Sequence, residues 1–174
     1  MSFELRILHQ EWSSPDAGSY DICSHGHIFL KVHDIVLSDE EQNWTINVTG
    51  LLLLKSLRDG RHTVEFRHQP MFNCCGGLLE GMGCYVCADW NVRFEGDDVI
   101  LDDFRTWYSQ EEGKQFYPGL QVRMSRERYR EQVLSFARQA KEFYFSTPKQ
   151  IFDEWERELT EKFWKEYDEL LHRL

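Results

Sequence analysis

No window of this chain approaches 18 consecutive apolar residues, so a membrane-spanning helix is not expected. The opening Met-Ser-Phe-Glu-Leu-Arg has no basic stretch followed by an apolar one. That argues against a secretory signal and makes the cytoplasm the expected compartment. There, Asn43-Trp-Thr45 and Asn47-Val-Thr49 match the glycosylation pattern by accident. Positive charge is scarce: 20 Lys and Arg face 30 Asp and Glu, for a net charge of −10. Phosphate binding needs clustered Lys and Arg, so nucleic acid is a poor partner. There is no Walker loop, no Rossmann glycine fingerprint and no His-Glu-x-x-His, which removes the common signatures of nucleotide and zinc-protease chemistry. The five cysteines are odd in number, and an odd count in a reducing compartment argues against a disulfide framework. No internal repeat or low-complexity tract occurs. Aromatics, by contrast, make up 14% of the chain, which argues against disorder outside loops and ends.

The most regular pattern lies in residues 84–108. Val86, Ala88, Trp90, Val92 and Phe94 recur every second residue with mostly polar residues between them, as in a strand buried on one face. Glu95-Gly96-Asp97-Asp98 reads as a turn, because Gly supplies positive φ and Asp tolerates it. Val99, Leu101 and Phe104 continue as the return strand. Earlier in the chain, Phe3, Leu5 and Ile7 alternate in a first strand ending at Trp12, and residues 13–20 form a loop. Residues 27–33 and 35–37 give a second and third stretch of strand, followed by an acidic turn at 38–43. Trp44, Ile46 and Val48 alternate as a further strand. Leu51 to Leu54 then break the alternation. Thr49 can cap a short helix that stops at Gly60 in the C′ position. Val64 and Phe66 mark a short strand, 70–83 a glycine-rich loop, 109–119 a loop turning at Pro118-Gly119, and Leu120, Val122 and Met124 a last strand.

Ser125 opens a helix whose apolar stripe is Tyr129, Val133, Phe136, Ala137, Ala140, Phe143 and Tyr144. Thr147, Pro148 and Gln150 have the arrangement of a capping box with proline at the first helical position. They predict a last helix of about 25 residues, roughly 37 Å at 1.5 Å per residue. Its stripe is Ile151, Phe152, Trp155, Leu159, Phe163, Tyr167 and Leu170. The expected fold is therefore α+β. A mainly antiparallel sheet in a β-rich acidic region, residues 1–124, carries one short inserted helix. A C-terminal pair of long helices, residues 125–174, packs on the sheet or on a second copy. A stripe of that length makes a homodimer through the last helix possible; the alternative is that the preceding helix folds back over it.

Residues 125–174 hold 10 of the 20 basic and 11 of the 30 acidic residues, leaving 10 and 19, or −9, for residues 1–124. The acidic excess crowds the hairpin at Glu95, Asp97, Asp98, Asp102 and Asp103. These are the candidate partner-binding residues, a docking face for a basic protein. Asp39, Glu41 and their neighbour Glu40 crowd an earlier turn. Cys84-Tyr-Val-Cys87 has the CxxC spacing, but on a strand residues three apart face opposite ways: Cys84 inward, Cys87 outward with Asp89. A zinc site could be drawn from Cys23, His25, Cys74 or Cys75, and Cys84. A thiol enzyme could pair Cys74 or Cys75 with His25 or His68, using the cysteine-rich loop 74–87. Neither has a standard signature, and buried free thiols explain the cysteines as well. No cofactor is expected. His9, His62 and His172 read as ordinary surface residues.

Cys23-Ser-His-Gly26, Phe72-Asn-Cys-Cys-Gly76, and Gly83-Cys84 with Asp89-Trp90-Asn-Val92 together resemble a group of small bacterial cytoplasmic proteins. Some of these look like immunity proteins, which neutralise polymorphic or contact-dependent toxins. The resemblance spans about residues 23–92. It implies a non-enzymatic binding module that blocks a basic toxin domain.

Overall fold

A computed structural model describes residues 2–64, 69–74 and 85–174. Among these the order is β1 (Phe3–Glu11), β2 (His25–Val32), β3 (Ile35–Ser38), β4 (Trp44–Thr45), α1 (Ile46–Asp59), β5 (Arg61–His62) and β6 (Phe72–Asn73). Then come β7 (Cys87–Glu95), β8 (Asp98–Trp107), β9 (Lys114–Phe116), β10 (Val122–Ser125), α2 (Arg126–Ser146) and α3 (Glu154–Arg173). The fold is α+β, with the strands in two antiparallel sheets rather than one. The first has the order β1-β2-β3 with β4 also on β2; the second has β10-β8-β7-β5, with β6 on β7 and β9 on β8.

The long hairpin is β7–β8, and its tip turns at Gly96 with φ 58°. The apolar residues of β8 change parity, from Val99 and Leu101 to Phe104. A bulge explains this: Asp89 pairs with Arg105 but Asn91 with Asp102, and Asp103 takes φ 53°. One extra residue on β8 shifts every later side chain to the other face. Trp90 sits opposite the bulge at the centre of an aromatic cluster. It meets Phe72 edge-on at 5.2 Å, Phe104 at 6.0 Å and Phe3 at 6.3 Å. One buried apolar cluster runs from Phe3 to Leu170, through both sheets and all three helices.

The expected strand through Trp44, Ile46 and Val48 is corrected. Pairing stops at Thr45 and the helix starts at Ile46, so the N-cap is Thr45, four residues before the one expected at Thr49. Alternation indicates a strand only where the intervening residues face water, and here they do not. Asn47 and Thr49 are as buried as Ile46 and Val48. Asn47 Oδ1 accepts the Ser24 N–H at 3.1 Å. A helix covered on all sides has no polar stripe to reveal its period. Its end is as expected, with Gly60 left-handed at φ 64°. β5 pairs with Val92 and Arg93 just before the short strand expected at Val64 and Phe66; Val64 itself is not in a strand, and Phe66 lies outside the described residues. Within the expected 70–83 loop, β6 pairs with Cys87 and Ala88, and 75–84 lie outside the described residues. The 109–119 loop contains β9.

Helix α2 begins where expected, with Ser125 Oγ accepting the Arg128 N–H at 3.3 Å. Its buried face includes Tyr129, Val133, Phe136, Ala137, Ala140 and Tyr144. It packs on α1 and β1, and the side chain of Gln132 spans the gap by bonding both the Leu5 N–H and the Phe3 carbonyl. Helix α3 returns antiparallel to α2. Tyr144 lies on Trp164, Tyr167 donates to the Ala137 carbonyl, and Arg130 reaches the Leu174 carbonyl.

The capping box at Thr147 is overruled. Residues 147–152 run outside the helix, and α3 has 20 residues rather than about 25. Pro148 and Gln150 are held by the 13–20 loop: Gly18 N–H donates to the Pro148 carbonyl and Gln150 N–H to the Ser19 carbonyl, each at 3.0 Å. Lys149 Nζ adds bonds to the Ser14 and Asp16 carbonyls. Asp153 caps the helix, with Oδ1 accepting from the N–H groups of Trp155 at 2.7 Å and Glu156 at 3.4 Å. Asp153→Ala should therefore cost about 1 kcal/mol, and Thr147→Ala less than half of that. Urea midpoints of the two variants check this; the reverse order would restore the box at Thr147. The late start also divides the expected stripe. Phe163, Tyr167 and Leu170 are buried together with Trp164, whereas Phe152 and Trp155 are 70% and 66% exposed. Phe152 stacks on Tyr20 at 5.5 Å, so the chain partly covers its own aromatic surface.

Candidate functional site: an acidic cleft between two distant loops

Of the five hairpin carboxylates, Glu95, Asp98 and Asp102 are brought together, and two arginines stand among them. Arg93 on β7 bonds Glu95 and Asp102, the latter at 2.8 Å. Arg123 on β10 bonds Asp98 at 2.8 Å and Glu95 at 2.9 Å. The neighbouring carboxylates hold both guanidiniums above their ordinary range, Asp102 foremost for Arg93 and Asp98 for Arg123. Exposed pairs of this kind add little stability. Their effect here is on the surface field: Glu95, Asp98 and Asp102 already have counter-ions. Asp97 and Asp103 make no ion pair among the described residues.

The cysteines do not converge in the described residues. Cys23 is buried, and burial pushes its thiol up to about 12. Burial also raises Cys87, which is half-buried. A thiolate nucleophile needs the opposite shift. Cys74 is disulfide-bonded, contrary to the expectation of free thiols. Cys75, Cys84 and His68 lie outside the described residues, and among the described residues no three His, Cys, Asp or Glu are placed to hold a metal ion.

A second acidic group is less compensated. Asp39 and Glu41, in the turn between β3 and β4, face Glu112, in the loop between β8 and β9, across a cavity of about 510 Å³. Its apolar wall includes Val36, Val86 and Tyr108. Among the described residues no Lys, Arg or His lines it, and none of the three carboxylates forms an ion pair. The turn holds its own shape, with Glu41 N–H donating to Asp39 Oδ1 and Asp39 N–H to Gln42 Oε1, each at 3.0 Å.

The chain matches no family model, no curated protein and no solved structure. The cleft is therefore read from its own chemistry. The sequence marks Asp39 and Glu41 as an acidic turn, but nothing local indicates that Glu112, more than seventy positions on, completes the same cleft. Among the described residues no helix is long and apolar enough to cross a membrane.

Proposed function

We propose that the chain is a non-enzymatic protein-binding module of the immunity type, taking a basic segment of a toxin-like partner into the cleft of Asp39, Glu41 and Glu112. The observation that carries this reading is three carboxylates without counter-ions among the described residues, around a cavity walled in part by Val36, Val86 and Tyr108. A Lys or Arg side chain suits such a cleft, because its aliphatic stem covers Val36 and Val86 while its charged head reaches the carboxylates. The net charge of −10 adds long-range attraction for a basic partner. The hairpin carboxylates contribute to that field, but arginines already hold three of them.

The test compares two variants of equal charge change, Asp39→Asn/Glu41→Gln/Glu112→Gln and Glu95→Gln/Asp97→Asn/Asp103→Asn. Each is titrated with a fluorescent Lys/Arg-rich decapeptide at low salt. The cleft variant should lose about tenfold in affinity and the hairpin variant about twofold or less, where tenfold corresponds to about 1.4 kcal/mol. Equal losses would mean that only the overall field attracts the peptide, which sinks the cleft. A basic toxin domain encoded beside this chain is the direct partner to test. Its failure to bind at low salt would sink the immunity reading.

A further inference from the structure

The strongest polar arrangement outside the cleft is built around Asp89. This residue was expected to face outward but is only 3% exposed. Its Oδ1 accepts from His62 Nε2 at 2.8 Å and from the Met71 N–H at 3.0 Å, and Arg105 Nη2 stands 3.6 Å from Oδ2. A buried carboxylate requires such donors. The same contact removes His62 from the class of ordinary surface histidines. With Nε2 bonded to Asp89, the ring is fixed, and Nδ1 has no partner among the described residues.

His62 lines a cavity of about 370 Å³ together with Lys55, Arg61, Thr63 and Gln69. The groups around it are mostly donors. Arg61 makes no ion pair among the described residues. The Gln69 amide nitrogen is buried without a partner among the described residues, which costs free energy until an acceptor reaches it. Lys55 is held by Glu166 at 3.1 Å, so it is positioned rather than free. The lining carboxylate, Asp59, is already taken by Arg58 at 2.6 and 2.9 Å. That bond holds its carboxyl below the usual range. Ser56 Oγ is occupied by the Leu53 carbonyl and the Tyr129 hydroxyl.

We propose that this cavity binds a small oxyanion, a phosphoryl or carboxylate group, between the donors of Arg61, Lys55 and Gln69, beside the His62 ring. Such a ligand offers only acceptors, and the guanidinium fork fits either group. The cavity lies within the usual size range of small-molecule sites. The negative net charge does not prevent it, since charges more than about 8–10 Å away are largely screened at physiological salt. The site is independent of the acidic cleft, with which it shares no lining residue.

The test is NMR titration of the intact protein with inorganic phosphate and, separately, with acetate, at ionic strength held constant by sodium chloride. The His62 imidazole signals are assigned by their loss in His62→Asn. A saturable shift at about 1 mM is expected, weakened about tenfold in Arg61→Gln and in Lys55→Gln and unchanged in Glu95→Gln. Arg61 is exposed, so its variant should keep the wild-type backbone spectrum. Saturation by phosphate alone or acetate alone identifies the group, and saturation by both supports the shared chemistry. No saturable shift with either anion, or equal affinity in Arg61→Gln, overturns the proposal.

Discussion

Trp90→Ala should lower stability by about 3–5 kcal/mol, the range for a fully buried large aromatic truncated to alanine. Trp90 has no exposed surface, and its ring joins three separate elements. Phe3 reaches it from the first sheet, Phe72 from the short β6, and Phe104 from beyond the β8 bulge. Its indole N–H makes no hydrogen bond among the described residues, so the loss is one of packing rather than of polar pairing. Trp90→Phe should cost distinctly less, because part of the ring volume is kept. Urea unfolding followed by far-UV circular dichroism gives both values. A loss of less than about 1 kcal/mol for the alanine variant would mean that the core is not centred on this ring.

The second large effect concerns Gly50. At an ordinary helical position, glycine to alanine stabilises by roughly 0.5–1 kcal/mol, because glycine loses more backbone freedom on folding. Here the sign should reverse. A Cβ on Gly50 would lie 2.1 Å from the Tyr167 hydroxyl oxygen and 3.1 Å from the adjoining ring carbon. Tyr167 cannot simply retreat, since it is fully buried and its hydroxyl donates to the Ala137 carbonyl at 3.0 Å. Gly50→Ala should therefore destabilise by about 2 kcal/mol or more, from overpacking together with the strained or broken hydrogen bond. Tyr167→Phe removes the clashing oxygen, so the double variant should lose less than the sum of the two single ones. A Gly50→Ala protein more stable than the wild type would show that α1 and α3 do not approach this closely.

The parts of this fold that were legible in the sequence are those with one wet face. The β7–β8 hairpin, β1 and the buried stripe of α2 alternate or recur because water on the other side demands polar residues there. The start of helix α1 is hidden in the sequence because residues 46–51 are buried on every side, so Asn47 and Thr49 look like the solvent face of a strand. Local chemistry was also outweighed by distant pairing. Thr147, Pro148 and Gln150 satisfy every local rule for a helix start, yet Ser19 takes the Gln150 N–H that the box would have used, and Gly18 takes the Pro148 carbonyl that the helix would have used. The candidate sites were legible only in part. Glu95 and Asp102 could be seen as acidic, but not that Arg93 and Arg123 stand among them. Asp39 and Glu41 could be seen, but not Glu112. His62 gave no signal at all, because its partner Asp89 is 27 positions away on another strand.

The clasp of Gln132 on the first strand also has a consequence for how the chain is made. The Leu5 N–H waits for a side chain 127 positions later, and the inner face of β1 is completed by Trp90 and Tyr129. At about 5–20 residues per second, Gln132 leaves the ribosome roughly 6–25 s after Leu5. A β1–β2 ribbon formed in that interval would leave Phe3, Leu5, Ile28, Leu30 and Val32 uncovered on one side. The nascent chain is then a two-stranded ribbon with a bare apolar face, a species prone to pair with its neighbours on the same message. The paired charges of Glu4 and Arg6 on the outer face of β1 are what the emerging ribbon has to oppose that association until α2 arrives.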